Sequence, residues 1–311
     1  MANMYSNKKY GSTKKKTVAK KEQKFRSQRT GRMVSNIFAH LTLVIMSVIW
    51  LFPFVCIVLQ SFRSYDKEYG GMVEYIVPKT FSLDNYKYLF NTDKCDFLTW
   101  YGNTVIIAAA VAIIQTIIVL CVSFALSRMR FKGRELLMRF WLVLGMFPGF
   151  LTMICLYYLL KQFGLTQDNA VPGLILISVA SSGMGYYVCK GYFDTIPKSL
   201  DEAARIDGAS RMRVFLSMIV PLSKPIIIYQ ALVAFMAPWC DYIFASYVAF
   251  GNPKGYNVAV GLYQWVNTPD FQGYFTRFCA GGIMVALPVT ILFMFLQKYY
   301  VEGVTGGAVK G

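Results

Sequence analysis

Residues 37–60 read IFAHLTLVIMSVIWLFPFVCIVLQ, 24 residues with no lysine, arginine, aspartate or glutamate among them. At about 1.5 Å per residue, a helix of this length is roughly 36 Å long and crosses a bilayer core with some tilt. The stretch predicts a membrane span rather than a secretory signal. It is too long, follows a 36-residue basic segment and has no small-residue cleavage site. Five more apolar stretches follow, at about 103–127, 136–160, 170–189, 225–250 and 279–299. In lipid each backbone amide must find its partner within its own segment, so all six are expected to be helices. The expected fold class is an all-α membrane protein with six transmembrane helices.

Composition agrees. Of the 311 residues 56% are hydrophobic and only 15% charged, with mean hydropathy +0.43, whereas a soluble domain is about a quarter charged. The seven cysteines, Cys56, Cys95, Cys121, Cys155, Cys189, Cys240 and Cys279, contain no C-x-x-C pair. Six lie in apolar runs and read as small buried apolar residues, and no metal site is suggested. The sole histidine, His40, reads as interfacial.

The formal net charge of +16 raises nucleic acid as a partner. Its distribution argues otherwise. Six spans return both termini to one side. The segments on that side (1–36, 128–139, 190–224 and 298–311) hold 24 of the 32 lysines and arginines but only 7 of the 16 acids. This is the positive-inside pattern. It places both termini in the cytoplasm and implies no nucleic-acid partner. Residues 1–36 then form a basic, disordered cytoplasmic tail, either a solvated orientation signal or a contact for anionic headgroups of the lipid bilayer. Residues 37–300 form the transmembrane domain and 301–311 a cytoplasmic tail.

One polar cassette, DEAARIDGAS at 201–210, lies in the loop at 198–224. Two short helices are expected there. Ser199 caps the first, with Glu202 three residues on as a capping box. Gly208 offers a left-handed stop, and Ser210 caps a second helix running to Ile219. Ala203 and Ala204 are small enough for another protein to approach closely. Docking to a soluble partner and a plain loop helix on the membrane surface both remain open.

The wider stretch EAARIDGASRMRVFLSMIVPLSKP (202–225) resembles the EAA motif of bacterial ABC importer permeases. FDTIPKSLDEAA (193–204), RFKGRE (130–135) and QKYYVEGVTGGAVKG (297–311) fit as well. Together they resemble the second, smaller permease of maltose/maltodextrin-type carbohydrate importers, over nearly the whole chain past the basic tail. APWCDYIFASYVAF (237–250) and VAVGLYQW (258–265) are similar to maltodextrin systems of low-GC Gram-positive bacteria.

The resemblance implies the type I importer permease fold in the bacterial cytoplasmic membrane. It implies four partners: a second permease completing the pore, two identical ATPase subunits and an extracellular sugar-binding protein. Glu202 would pair with a basic residue in an ATPase cleft. Ala203 and Ala204 would let the helix seat, Asp207 and Gly208 would form the turn, and Pro221 the exit. Val304, Thr305, Gly306 and Gly307 would reach the ATPase interface; by composition alone that tail is a frayed terminus. The chain has no G-x-x-x-x-G-K-[ST] loop. ATP and magnesium are therefore expected to act on the partner ATPase, with no cofactor bound by this chain, which is expected to be a transporter subunit and not an enzyme.

Asp241 is the only acid inside an expected span, and intramembrane ionisable residues often mark function. With Trp239 and Tyr242 it suits a sugar in the substrate path, or a polar link to the other permease. The run ISVASSGMG (177–185) suggests close helix packing or a kink. Outside, KGYNVAVGLYQW (254–265), with Tyr256, Asn257 and Gly261, is expected to enter the binding protein's cleft or simply to lead back into the membrane. The outer loop at 61–100 is a docking surface or a re-entry segment. Alternatives are a permease for a different oligosaccharide and an ion-coupled secondary transporter. The latter needs coupling carboxylates within its spans, and a single aspartate is thin support.

Overall fold

Residues 37–60 fold as one helix, α1, Asn36–Ser61. The computed structural model describes residues 36–64, 76–147, 149–268 and 271–305. The basic tail expected to be disordered therefore lies outside the described residues, apart from Asn36. Met1–Cys56 forms one unit and Ile57–Gly311 the other.

Within the second unit the regular secondary structure of the described residues is helical, save one isolated antiparallel bridge between Arg63 and Phe81. The elements are α2 (Asp84–Leu89), α3 (Phe97–Arg128), α4 (Arg134–Gly145), α5 (Gly149–Gln162), α6 (Ala170–Ala180), α7 (Gly183–Thr195), α8 (Lys198–Ile206), α9 (Arg211–Val214), α10 (Val220–Leu222), α11 (Lys224–Cys240), α12 (Ile243–Ala249), α13 (Val258–Val266) and α14 (Phe271–Thr305). Among the described residues three helices are long and apolar enough to cross a membrane, or five counting two bent pairs as one span each.

Three of the six expected spans are thus interrupted. The stretch at 136–160 is two helices, α4 and α5, parted at Gly145-Met146-Phe147-Pro148-Gly149, a helix-breaking composition. The stretch at 170–189 bends by 41° between α6 and α7 at Ser181–Ser182. Both readings of its small-residue run hold. A Cβ on Gly185 would stand 3.0 Å from Gln230 Oε1 and 3.3 Å from Val119 Cγ2, so the run also permits close packing. The stretch at 225–250 breaks at Asp241–Tyr242, between α11 and α12.

α3 is the axis. One half buries Phe97, Trp100, Ile107 and Val111 in a cluster with α6, α11, α12, α13 and α14. The other half buries Val119, Phe124 and Leu126 with Tyr186 and Phe193 of α7, Val214, Phe215, Ile219 and Ile226. A helix apolar on all faces suits a core or a membrane span, and α3 is packed along one side while Ile106, Ile113 and Ile117 stay exposed on the other. In the segment after α1, fully buried Arg63 donates from Nε to Gln60 Oε1 at 2.6 Å. Asn85 Nδ2 donates to the carbonyls of Ser61 (3.0 Å) and Arg63 (2.9 Å), and Thr276 Oγ1 donates to Asn85 Oδ1 at 3.1 Å. The described part of the segment at 61–100 is therefore fastened to α14.

Candidate functional site

The cassette at 201–210 forms α8 and the turn after it. α8 starts at Lys198, immediately after Pro197, and no side chain caps it. The expected Ser199 cap is corrected: proline's locked φ begins the helix two residues sooner, and Ser199 falls inside the first turn. Gly208 has φ +79°, the left-handed stop expected of it. Ser210 Oγ accepts the Arg213 N–H at 3.3 Å and caps α9, also as expected. Residues 215–219 then widen to a π-helical turn. Pro221 lies just beyond in α10 and has no N–H for the carbonyl four residues back, which accounts for the loosened ladder. An 82° bend at Ser223 returns the chain to α11.

The two alanines divide. Ala203 is exposed with Glu202 and Asp207, whereas Ala204 is half-buried against the Val214–Phe215 cluster of its own chain. The free face therefore presents Glu202, Ala203 and Ile206, the last 86% exposed, with Met212 of α9 nearby in sequence at 62%. An isolated apolar side chain so exposed on a polar loop suits a partner surface more than solvent.

Arg128, which sequence reasoning counted only as an orienting charge, lies beneath this loop. Its Nε stands 3.0 Å from Asp201 Oδ2 with the arginine side chain 5% exposed. Its Nη2 donates to the carbonyls of Phe193 (3.0 Å) and Ile196 (2.9 Å). A basic residue closing a long apolar helix just before a loop was the only available signal.

A second feature is a cavity of about 300 Å³ lined by Thr152, Met153, Ser178, Ser181, Asp241 and Asn257, among others. Of the three substrate-path candidates only Asp241 reaches it. Trp239 is 2% exposed, wedged between Tyr101 (5.4 Å) and Phe235 (5.9 Å), and Tyr242 packs on Tyr263 at 4.1 Å. Asp241 also has local work. Its Oδ1 accepts the Phe244 N–H at 3.2 Å and so starts α12 after the break. Asn257 Nδ2 donates to the freed carbonyls of Pro238 (3.2 Å) and Asp241 (2.6 Å). Asp241→Asn keeps a capping oxygen and should leave thermal stability in detergent unchanged. Asp241→Ala lowers it by about 1 kcal/mol. Equal melting curves for all three proteins would remove the capping role.

The segment at 254–265 differs from the expected tip. Tyr256, Asn257 and Gly261 are buried, Asn257 at 1%. Asn257 Oδ1 accepts the Val260 N–H at 2.9 Å and starts helix α13, which packs on Trp100 of α3. The small and apolar residues at 258–262 belong to a short helix. Tyr263 and Gln264 remain exposed. At the other end, α14 continues to Thr305, so Val304 and Thr305 lie in helical backbone, while Gly306 and Gly307 fall outside the described residues.

Residues 117–306, more than half of the chain, match the family of the binding-protein-dependent transport system inner membrane component. The chain is similar to the maltodextrin transport system permease protein MdxG of Bacillus subtilis, 36% identical over 91% of this chain and 99% of that one. It is also similar to the galactooligosaccharides transport system permease protein GanQ of the same species, 35% identical over 90% and 97%. A chain in the crystal structure of a bacterial ABC transporter involved in the import of the acidic polysaccharide alginate shares the fold, with TM-score 0.72 at 23% identity over 86% of this chain and 96% of that one.

Proposed function

The chain belongs to the binding-protein-dependent transport system inner membrane component family, and we propose that it is one of two permeases forming the pore of an ATP-driven oligosaccharide importer. Maltodextrins are the favoured cargo. Support comes from the resemblance of its EAA region and tail to maltodextrin permeases and from its likeness to the maltodextrin permease of Bacillus subtilis. The nearly equal likeness to a galactooligosaccharide permease makes that sugar the first alternative. In this reading both termini and the loop at 198–224 face the cytoplasm, across the bacterial cell membrane.

The observation that carries the proposal is α8 itself: a short helix between two apolar segments, exposing Glu202, Ala203 and Ile206 and closed by a left-handed glycine. A helix so presented suits a cleft on an ATPase. Two ATPase subunits bind and hydrolyse ATP with magnesium, and closing the pair displaces α8. An extracellular binding protein delivers the sugar from the other side, where exposed Tyr263 and Gln264 are available to it, and Asp241 faces the path through the cavity wall. This chain supplies pore and lever, with no catalysis and no cofactor of its own.

The test is uptake of labelled maltotriose and of a galactooligosaccharide by cells lacking and then regaining the gene. It is followed by uptake into vesicles given either internal ATP or a proton gradient alone. Restored uptake that needs ATP is expected. Uptake driven by the proton gradient without ATP would replace the proposal with ion-coupled transport.

The tail offers a separate check. If Val304, Thr305, Gly306 and Gly307 extend α14 to the ATPase interface, deleting 304–311 reduces or uncouples ATP hydrolysis while leaving the binding protein's sugar affinity unchanged. Fully coupled transport by the truncated chain would return the segment to a mere terminus.

A further inference from the structure

Three helix ends meet on two consecutive residues at the end of α3. Ser127 Oγ donates to Asp194 Oδ1 at 2.6 Å, and Asp194 Oδ2 in turn holds Lys190 Nζ at 2.6 Å. Arg128 bonds the carbonyls of Phe193 and Ile196 at the end of α7 and pairs with Asp201 in the first turn of α8. The α7–α8 joint is thus tied to α3 by Ser127 and Arg128 together, and α8 itself by Arg128.

Packing alone does not require this. Removing a guanidinium from water is expensive, and an apolar contact of similar volume often holds two helices at least as well. The guanidinium adds direction at the α7 end, where Nη2 donates to two carbonyls, and the buried ion pair with Asp201 joins α8 to that fixed group. The rest of α8 is loosely held. Glu202, Ala203, Arg205 and Ile206 are exposed, and only Ala204 leans on the cluster beneath. On either side lie natural hinges, extended Ile196 (ψ 127°) before Pro197 and left-handed Gly208. Beside the ion pair is a cavity of about 60 Å³ lined by Arg128, Asp201, Arg205, Arg211 and Val214. Arg128 Nε and Nη1 and Asp201 Oδ1 are buried with no hydrogen-bond partner among the described residues, so the contact with Asp201 is a close ion pair and not a directed hydrogen bond.

We propose that Arg128 is a positioning residue that ties α8 to the end of α3, so that a displacement of α8 is delivered to the helix at the centre of the pore domain. This rests on the reading of α8 as the coupling helix. Without the tie, α8 pivots on its two hinges and part of its motion is lost.

The test uses the complete importer, purified with its partner subunits and placed in liposomes, with maltotriose as the sugar. The readout is maltotriose imported per ATP hydrolysed. Asp201→Asn keeps the shape and the carbonyl bonds of Arg128 but removes the charge. It should lower the ratio about fivefold or more, the lower end of ordinary coupling between sites. Arg128→Lys, which loses the fork but keeps the charge, falls between Asp201→Asn and Arg128→Gln. A purely structural role would reduce the yield of complex and leave the ratio at the wild-type value in every variant, which would overturn the inference. Gly208→Val in the same assay keeps the two readings apart. If it uncouples while Asp201→Asn does not, only the role of Arg128 fails. If Gly208→Val also retains the wild-type ratio, α8 is not the coupling helix and both fail.

Discussion

Gly208→Val is expected to cut coupled sugar uptake by about tenfold or more while the protein still accumulates in the membrane. The residue sits at φ +79° and ends α8. An L-residue in this left-handed region costs about 1–2 kcal/mol, and a β-branched one is a clear outlier there. Each 1.4 kcal/mol weakens docking about tenfold. Nothing lies within 4 Å of a Cβ added at Gly208, so the effect comes from the backbone and not from a clash. That separates the possibilities by rank. Asparagine tolerates the left-handed region, alanine less so and valine least, so uptake should fall in the order Asn, Ala, Val. A steric cause would make alanine the mildest change, with asparagine and valine alike. Wild-type uptake and binding-protein-stimulated ATPase activity in the valine variant would dismiss the turn as a determinant of coupling.

The apolar runs were legible because hydropathy summed over twenty residues is a strong signal, and all six stretches are helical. Their interruptions were not. A bend at Ser181–Ser182 or a break at Asp241 changes the hydropathy of the window very little, and a polar group at a break is satisfied by residues distant in sequence, as Asn257 satisfies Pro238 and Asp241. Gly208 and Ser210 were readable from local grammar, since their roles depend on their own backbone. Ser199 misled because the same grammar gave Pro197 too little weight. Ala204 and Arg128 could not be assigned from spacing. Which alanine faces inward depends on where Val214 and Phe215 pack, and Arg128 acquires its role only when α7 and α8 return to the end of α3. Likewise Tyr256 and Asn257 looked exposed because the polar and small residues around them suggest a loop. Burial there is created by other parts of the chain: Pro238 and Asp241 lie beside Asn257, and Trp100 beside Tyr256.

That same contact carries the second large effect. Gly261 lies in α13 against the indole of Trp100, and a Cβ at this position would stand 2.0 Å from Trp100 Cε3 and 2.2 Å from Cδ2. Neither side can retreat easily. Trp100 is 6% exposed and lies beside Tyr256 (6.3 Å between ring centres) and Trp265 (5.7 Å). α13 is pinned as well: Thr104 Oγ1 accepts the Val258 N–H at 2.8 Å, and Asn103 Nδ2 donates to the carbonyls of Lys254 (2.8 Å) and Tyr256 (2.9 Å). Overpacking at so constrained a site costs about 1–3 kcal/mol, sometimes more. Gly261→Ala should therefore sharply lower the yield of folded protein in detergent, and Gly261→Val should abolish it. Gln264→Ala, exposed on the same helix, should do neither. The decisive comparison is with Trp100→Leu. Alone, that change leaves a cavity and destabilises; combined with Gly261→Ala, the added methyl enters the vacated space. The double variant should then be more stable than the sum of the single effects allows, the mark of residues in contact. Strict additivity, or a Gly261→Ala protein with wild-type yield and melting, would mean that α13 does not rest on Trp100. The segment would then again be free to act as an extended loop.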